Sequence, residues 1–488
     1  MTLYKEKQIH NLYERLKLYG QSDVYPFHMP GHKRNPEFLD FGQTVKMDIT
    51  EIDGFDNMHH AQGIIDEAQK RAAGLYGADE TWFLVNGSSC GLIAAILGSC
   101  ERGGRILMAR NCHKSVYNAV EMGNLQPVYI YPQLVKPLGI YGSVQPEQVE
   151  ELLERYADIQ AVIITSPTYE GIVSNIAAIS EIVHRYHIPL IVDEAHGAHF
   201  GFSKEFPQTA VRCGADVVVQ SAHKTLPSLT QTSLIHLNGD ICHRKKIRKY
   251  YDFLQTTSPS YIMMASLDHC MILLEQNSSQ YFDKYQQMLT DFLEKCRKFK
   301  YLHILEASDM VQNNIFDFDM SKIVIYSQSV CACGKWIYSI LLNRYHIQLE
   351  MAARDDALAM TSFCDTQDGF DRLYRALLEI DSMSEWQTGA FEKYDLPDSM
   401  NFSGICPKVR CGEATEMPFE AVDYEQSCGR LSAEYAYIYP PGVPFLVPGE
   451  QITEAHLELL RSYKASGFEI EGPEDAALQK LNVLQTNL

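Results

Sequence analysis

Between residues 61 and about 240, short apolar runs alternate with amphipathic stretches, and this pattern constrains the fold more than any other feature. Residues 61–76 space their apolar side chains as a helix does, and helices are also expected at 145–156 and 175–186. Strands that alternate with helices predict an α/β fold with a mostly parallel central sheet covered on both faces. The runs that predict these strands are residues 105–109, 127–131, 161–165, 189–192 and 216–220.

The length of 488 residues allows two or three domains with a large core. Residues 1–60 lack long periodic runs and predict an N-terminal helix followed by an irregular arm. Residues 61–305 form the expected large domain, which includes long helices at 263–275 and 280–298. A smaller α+β domain is expected at residues 306–488.

The composition argues against several classes of function. A formal net charge of −20 disfavours nucleic-acid binding, for which a basic surface is the usual signature. No apolar run approaches the roughly 18–20 residues that cross a bilayer, and the N-terminus has no apolar signal-peptide core. The 13 cysteines lack zinc-site spacing and fit a reducing compartment. The sequence therefore predicts a cytoplasmic protein without a metal and with neither nucleic-acid nor membrane partners.

Two charged residues follow two of the predicted strands directly. Asp193 ends the run that begins at Pro189, and Lys224 lies just after the run 216–220. In open α/β sheets the ligand crevice lies outside the carboxyl ends of the strands. A Schiff-base lysine and an aspartate that pairs with a pyridinium nitrogen are what pyridoxal 5′-phosphate (PLP) chemistry requires. Taken singly, such an aspartate is often a helix cap and such a lysine a surface charge.

Three more loops carry groups suited to a phosphorylated, flat cofactor. Gly87, Ser88 and Ser89 precede a helix expected at 92–99, where backbone amides and hydroxyls could bind a phosphate. Serines at this position are also ordinary helix caps. His113 follows the strand 105–109 and could either stack on a cofactor ring or cap the next helix. Thr168 follows the strand 161–165 and could hydrogen-bond the ring oxygen.

Taken in order, these segments resemble motifs of the bacterial ornithine/lysine/arginine decarboxylases. The resemblance extends from about residue 25 to 450 and is closest to the short members, which lack the receiver-like N-terminal domain of the long ones. It implies a PLP fold type I enzyme with the aspartate-aminotransferase-like fold, and a homodimer or larger homo-oligomer. The matching segments are residues 27–33, 48–51, 54–59, 86–89, 113–115, 166–171, 193–197, 221–225, 429–434 and 439–442.

The resemblance also implies individual roles. Lys224 is expected to form the Schiff base, and Asp193 to keep the pyridine nitrogen protonated. His113 is expected to stack on the ring, and His196 to lie near the ring or the substrate. These four are the expected catalytic residues. The expected phosphate ligands are Ser88, Ser89, Ser221 and His223.

The implied reaction is α-decarboxylation of a basic L-amino acid (arginine, lysine or ornithine) to a polyamine or diamine and CO2. Lys224 or His113 is the candidate acid that returns a proton to Cα. Residues 349–358 and 434–439 depart from the family pattern where the substrate pocket is expected. An aminotransferase or another PLP-dependent lyase, or a regulator that has lost catalysis, stays an alternative. The candidate partners of the substrate's distal cation are Glu51, Asp53, Glu350 and Glu434.

Overall fold

The structure is a computed structural model that describes residues 11–485, except 136–137, 313–314, 328–329, 331–332 and 388–404. The first ten residues of the expected N-terminal part therefore lie outside the described residues, as do residues 388–404 and 486–488 of the expected small domain. The domain boundaries expected at residues 60 and 305 stay predictions.

The helices alternate with strands through the first half of the chain and are interspersed with short strands in the second. Their bounds are α1 Leu12–Gln21, α2 Gln43–Met47, α3 Ile64–Tyr76, α4 Gly87–Ser99, α5 Lys114–Met122, α6 Pro146–Arg155, α7 Ile176–His184, α8 Ala222–Thr225, α9 Arg244–Leu254, α10 Tyr261–Cys296, α11 Ala307–Gln312, α12 Gly334–Tyr345, α13 Gln367–Asp381, α14 Cys411–Ala414 and α15 Glu454–Ala465. Among these described helices, none is both long and apolar enough to cross a membrane.

The strands form one large sheet, one smaller sheet and several short pairs. Their bounds are β1 Glu80–Leu84, β2 Arg105–Ala109, β3 Gln126–Ile130, β4 Leu134–Val135, β5 Ile140–Tyr141, β6 Ile159–Thr165, β7 Ile172–Val173, β8 Leu190–Asp193, β9 Val217–Gln220, β10 Ser233–Leu237, β11 Leu302–Ile304, β12 Asp317–Phe318, β13 Lys322–Ser327, β14 Met351–Ala352, β15 Asp356–Met360, β16 Phe419–Asp423, β17 Ala436–Ile438, β18 Val443–Leu446 and β19 Lys480–Leu484.

The large sheet has seven strands in the order β1-β10-β9-β8-β6-β2-β3. Strands β9, β8, β6, β2 and β3 are parallel, which confirms the predicted mostly parallel sheet. Strand β10 is antiparallel to both of its neighbours, so β1 runs in the same direction as β9. The sequence patterns did not predict β1 or β10. As a result, β1, β9, β8, β6 and β2 all end at the same edge of the sheet.

The central strands are mostly apolar because helices cover both faces of the sheet. Every residue of β8 and β9 is buried, including Asp193 at the end of β8. Helix α4 lies unusually close to the sheet and to α9. A Cβ on Gly91 would come within 2.6 Å of Leu84 Cδ1, and one on Gly98 within 2.6 Å of Ile247 Cα. The atom near Gly98 is backbone, so glycine is required there, and at Gly91 the absence of a side chain lets α4 pack close to the sheet.

One prediction about the helices needs correction. The two helices expected at 263–275 and 280–298 form a single long helix, α10. Its backbone leaves helical geometry at Asn277, with φ −144° and ψ 17°, inside the gap between the two predicted segments. The gap in apolar spacing therefore marks a local distortion rather than an end of the helix.

The second half of the chain builds the antiparallel sheet β11-β13-β15-β14 and the pairs β16-β19 and β17-β18. Strand β12 pairs with β7, which follows β6 of the large sheet. This pairing places the four-stranded sheet beside the edge at which the large sheet's parallel strands end. Val443 and Phe445 of β18 reach the same region.

Candidate active site

A cavity of about 500 Å³ lies at the carboxyl edge of the large sheet. Five of the strands that end there have a residue predicted from the sequence at or shortly after their last position. The residues, in the order of the strands β1, β2, β6, β8 and β9, are Ser88, His113, Thr168, Asp193 and Lys224. The structure therefore brings these residues to one cavity, whereas their individual roles remain predictions.

Lys224 lies in α8, and its amine contacts an imidazole. Lys224 Nζ is 2.9 Å from His196 Nε2. Burial, followed by the charges of Lys224 and Lys322, lowers the pKa of His196 well below its usual value, so the ring is neutral and accepts the hydrogen bond. Burial also lowers the pKa of Lys224, against the opposing effect of Asp193 and Glu350. The environment therefore favours an amine that can lose its proton and act as a nucleophile.

Asp193 is the last residue of β8 and is only 3% exposed. Its Oδ1 accepts a hydrogen bond from the Ala195 N–H at 3.1 Å. Burial raises the pKa of Asp193, while Lys224 opposes this shift. A buried carboxylate is stable as an anion only beside a cationic group. A protonated pyridine nitrogen is such a group, so Asp193 fits the role that PLP requires.

His113 caps the next helix, which is one of the two interpretations that its sequence left open. It is the N-cap of α5, and its Nδ1 accepts a hydrogen bond from the Ser115 N–H at 3.2 Å. Its ring also lines the cavity. Burial, together with the charges of Lys224 and Lys114, lowers the pKa of His113 to about 4. The ring is therefore neutral at pH 7, and the cap holds it in one orientation.

Only some of the predicted phosphate ligands line the cavity. Ser88 lines the cavity, and its Oγ accepts a hydrogen bond at 2.9 Å from that of Ser221, which is fully buried. Ser89 is exposed and does not line the cavity. A Cβ built on Gly87, where φ is +74°, would meet no atom within 4 Å. The start of α4 therefore faces open space lined by hydroxyl and amide donors, which fits a phosphate.

His223 lines the cavity as well, and its Nδ1 is 2.8 Å from the carbonyl oxygen of Thr232. A carbonyl oxygen can only accept, so Nδ1 carries a proton. Nε2 could then donate to a phosphate only in the imidazolium form. Burial lowers the pKa of His223, so binding an anion would have to reverse that effect.

Tyr169 is a cavity residue whose role the sequence did not indicate, although it lies within the motif 166–171. Its ring centroid is 4.3 Å from that of His196, and Lys224 Nζ lies 5.8 Å from the tyrosine centroid. Its hydroxyl donates to Glu350 Oε1 at 2.5 Å. The neighbouring Thr168 lines the cavity, and its Oγ1 accepts from the Ile172 N–H at 3.2 Å. The hydroxyl of Thr168 also hydrogen-bonds the neighbouring Glu170 carboxyl, so a cofactor oxygen would compete with that carboxyl for its proton.

Of the four carboxylates considered for the distal cation, only Glu350 lines the cavity. Glu434 instead accepts hydrogen bonds from the N–H groups of Asn482 and Glu474. Glu51 and Asp53 belong to the N-terminal arm and do not line the cavity. The acidic residues that do line it, and that the sequence did not indicate, are Glu170, Asp355 and Asp356.

A buried polar cluster supports the segment that carries His196. Lys322 Nζ contacts Asp319 Oδ2 at 2.9 Å and the carbonyl oxygen of His196 at 3.4 Å. His199 Nε2 contacts Asp319 Oδ1 at 3.1 Å. Lys322 is 1% exposed and Asp319 fully buried. The contacts of Lys322 with the His196 carbonyl oxygen and of Asp319 with His199 therefore hold the start of β13 to the loop after β8.

The large sheet has a cavity at the edge where its parallel strands end, and the cavity is lined by a lysine and an aspartate at or just after the ends of adjacent strands. The chain therefore has the fold of the PLP fold type I enzymes. The lysine decarboxylase LdcF of Francisella novicida superposes with a TM-score of 0.83 at 21% identity, over 97% of this chain and 81% of that one. The alanine–glyoxylate aminotransferase of Nostoc sp. superposes with a TM-score of 0.52 at 15% identity, over 65% and 86%.

Sequence comparison identifies the family. The model of the Orn/Lys/Arg decarboxylase major domain matches residues 10–329, and that of the C-terminal domain matches residues 405–472. The chain is 30% identical to the arginine decarboxylase of Bacillus anthracis, over 97% of both chains. It is 31% identical to that of Halalkalibacterium halodurans, again over 97% of both. The chain belongs to the Orn/Lys/Arg decarboxylase family and is an amino acid decarboxylase.

Proposed function

We propose that the protein is a PLP-dependent decarboxylase that converts a basic L-amino acid (arginine, lysine or ornithine) to the corresponding polyamine or diamine and CO2. The observation that supports it most is the convergence of Lys224 and Asp193 on one cavity that also has an acidic lining. Family membership selects decarboxylation over the aminotransferase alternative. When bound, PLP supplies an electron sink for the negative charge left on Cα as CO2 departs.

Several residues of the cavity would hold the cofactor. Lys224 would hold it covalently, and Asp193 would hold the ring nitrogen in its protonated form. His113 would cover one face of the ring, with its orientation held by Ser115. Ser88 and the amides at the start of α4 would bind the phosphate, with Ser221 orienting the Ser88 hydroxyl.

The proton that replaces the carboxylate on Cα needs a donor, and the two candidates differ in the structure. The pKa of His113 is about 4, so this histidine holds no transferable proton near neutral pH. Lys224 Nζ, in contrast, donates a hydrogen bond to the neutral His196, and burial lowers its pKa, so this amine can both lose and return a proton. We therefore assign the return of the proton to Lys224, with His196 positioning its amine.

Exposed aromatic residues support a homodimer or larger homo-oligomer. Phe27, Phe38 and Phe41 are 90%, 78% and 70% exposed and lie in the N-terminal arm. The exposed Tyr25 packs on Phe27 with 4.8 Å between the ring centroids, and exposed apolar patches are typical of protein–protein contacts. Light scattering on the purified protein should give at least twice the 55.4 kDa mass of the chain. A 55.4 kDa particle would contradict the assembly.

The reaction is tested by incubating the protein and PLP with arginine, lysine or ornithine and measuring CO2. Amino-group transfer to 2-oxoglutarate is measured in parallel. We expect CO2 release from at least one of the three substrates without comparable amino transfer. Absence of CO2 with all three, from a protein that shows the visible absorbance of lysine-bound PLP, would contradict the proposal.

A further inference from the structure

The acidic side chains of the cavity form two groups. Glu350 belongs to the first group, since it raises the pKa of Lys224 and accepts the hydrogen bond of Tyr169. The second group comprises Glu170, Asp355 and Asp356, all of which line the cavity. Glu170 directly follows Tyr169 in the chain, so the second group lies beside the first, one residue further along the same loop.

The carboxyl groups of the second group are only partly paired. Asp355 Oδ2 is 3.4 Å from Arg354 Nη1. Glu170 and Asp356, in contrast, have no ion-pair partner within the part of the chain that the structure describes. Asp356 is 1% exposed, and its buried Oδ1 accepts no hydrogen bond from any described residue. Burial, with Glu170 and Asp355 nearby, raises the pKa of Asp356 well above its usual value.

The position of Asp356 is rigid. It opens β15 and pairs with Tyr326 in the centre of the four-stranded sheet. A Cβ on Gly334 would come within 2.2 Å of the Asp356 carbonyl oxygen, so the start of α12 packs directly on this backbone. A buried carboxyl with an unpaired oxygen is unfavourable for folding, and such groups occur where a ligand completes the pairing.

The surroundings suit a cation on an alkyl stem. Tyr141 and Tyr463 line the same cavity, and the pKa of each is raised mainly by burial. The charge of Glu170 adds to the shift of Tyr141, and that of Asp355 to the shift of Tyr463, so both rings lie near the second acidic group. Aromatic rings attract cations through their faces and pack against methylene groups.

We propose that Glu170 and Asp356 bind the distal cation of the substrate, with Tyr141 and Tyr463 packed against its stem. This inference rests on the proposed function, because it assumes a basic amino acid whose α-carbon lies near Lys224. Glu350 is thereby assigned to a different task, that of holding Tyr169 against His196.

The first test compares substrates with and without the distal charge. Asp356→Asn and Glu170→Gln keep the shape of the side chains and remove the carboxylates. We expect KM to rise at least about tenfold for the preferred basic amino acid in each variant, because a charged hydrogen bond is lost. The slow turnover of norleucine, which lacks the cation, should change less than about twofold. The matched control is Glu151→Gln on α6, which is exposed and outside the cavity.

The second test does not depend on turnover. Asp356→Asn should raise the Tm of the substrate-free protein by about 1 °C or more, because it removes a buried, unpaired carboxyl. The wild type should be further stabilised by millimolar agmatine, cadaverine or putrescine, whereas Asp356→Asn should lose most of that shift. A substitution that only damaged packing would lower the Tm instead.

Two results would overturn the inference. One is an equal loss of kcat/KM for norleucine and for the basic substrate in both variants. The other is an unchanged Tm shift by the amines in Asp356→Asn. Failure of the proposed function looks different, since the wild type would then release no CO2 from any basic amino acid. In that case the amine-induced Tm shifts would still decide whether Glu170 and Asp356 bind a cation.

Discussion

The buried ion pair between Arg110 and Glu450 connects the large sheet to the C-terminal wall of the cavity. Arg110 follows β2, and its Nη2 contacts Glu450 Oε2 at 3.1 Å. The guanidinium also donates to the Tyr117 hydroxyl at 2.8 Å and to the Phe445 carbonyl oxygen at 3.1 Å. The side chains of Arg110 and Glu450 are 5% and 0% exposed. Phe445 lines the cavity, so the pair positions part of the site.

Glu450→Gln keeps the volume of the side chain and removes the negative charge. Arg110 is then left as a buried cation with only neutral acceptors. Breaking a buried pair from one side typically costs about 3–5 kcal/mol. We expect the free energy of unfolding to fall by about that amount in urea titrations at fixed protein concentration. PLP affinity should fall as well, because the ion pair of Arg110 with Glu450 no longer holds the cavity wall that contains Phe445.

Two further variants make this reasoning testable. Arg110→Met combined with Glu450→Gln should recover most of the loss, since no buried charge remains unpaired. Glu454→Gln breaks the exposed pair with Arg461, whose atoms are 2.7 Å apart, and should cost less than about 1 kcal/mol. A loss in Glu450→Gln no larger than that in Glu454→Gln would refute the view that this pair holds the cavity wall.

Three other outcomes follow from the site and the core. Lys224→Ala should abolish CO2 release and the absorbance of covalently held PLP, and retained turnover would disprove the assignment. Ser221→Ala should weaken PLP binding roughly 2–10-fold by freeing the Ser88 hydroxyl, as measured by fluorescence titration. Burial lowers the pKa of His236 to about 3. Between about pH 6.5 and pH 3, His236 is therefore protonated only in the unfolded state. As the pH falls through this range, the free energy of unfolding of the wild type should fall relative to that of His236→Gln. The difference should be about 1.4 kcal/mol per pH unit in urea titrations, and a pH-independent difference would contradict it.

The sequence alone determined the part of the fold that depends on local pattern. Continuous apolar runs predicted the parallel strands β2, β3, β6, β8 and β9, because strands covered on both faces have no polar side. A residue after a parallel strand must lie at the carboxyl edge of the sheet. The sequence therefore predicts that Asp193 and Lys224 share one cavity.

Tertiary structure alone decided the remaining contacts. The contact of Tyr169 with Glu350 and the anchor between Arg110 and Glu450 join residues far apart in the chain, through the packing of separate sheets. Asp356 looks like any acidic residue in its sequence, yet burial in β15 makes its carboxyl unusual. Local periodicity records which face of an element is buried, but not which other element covers that face. The cavity residues that follow the parallel strands could therefore be predicted from sequence, whereas those proposed to select the substrate could not.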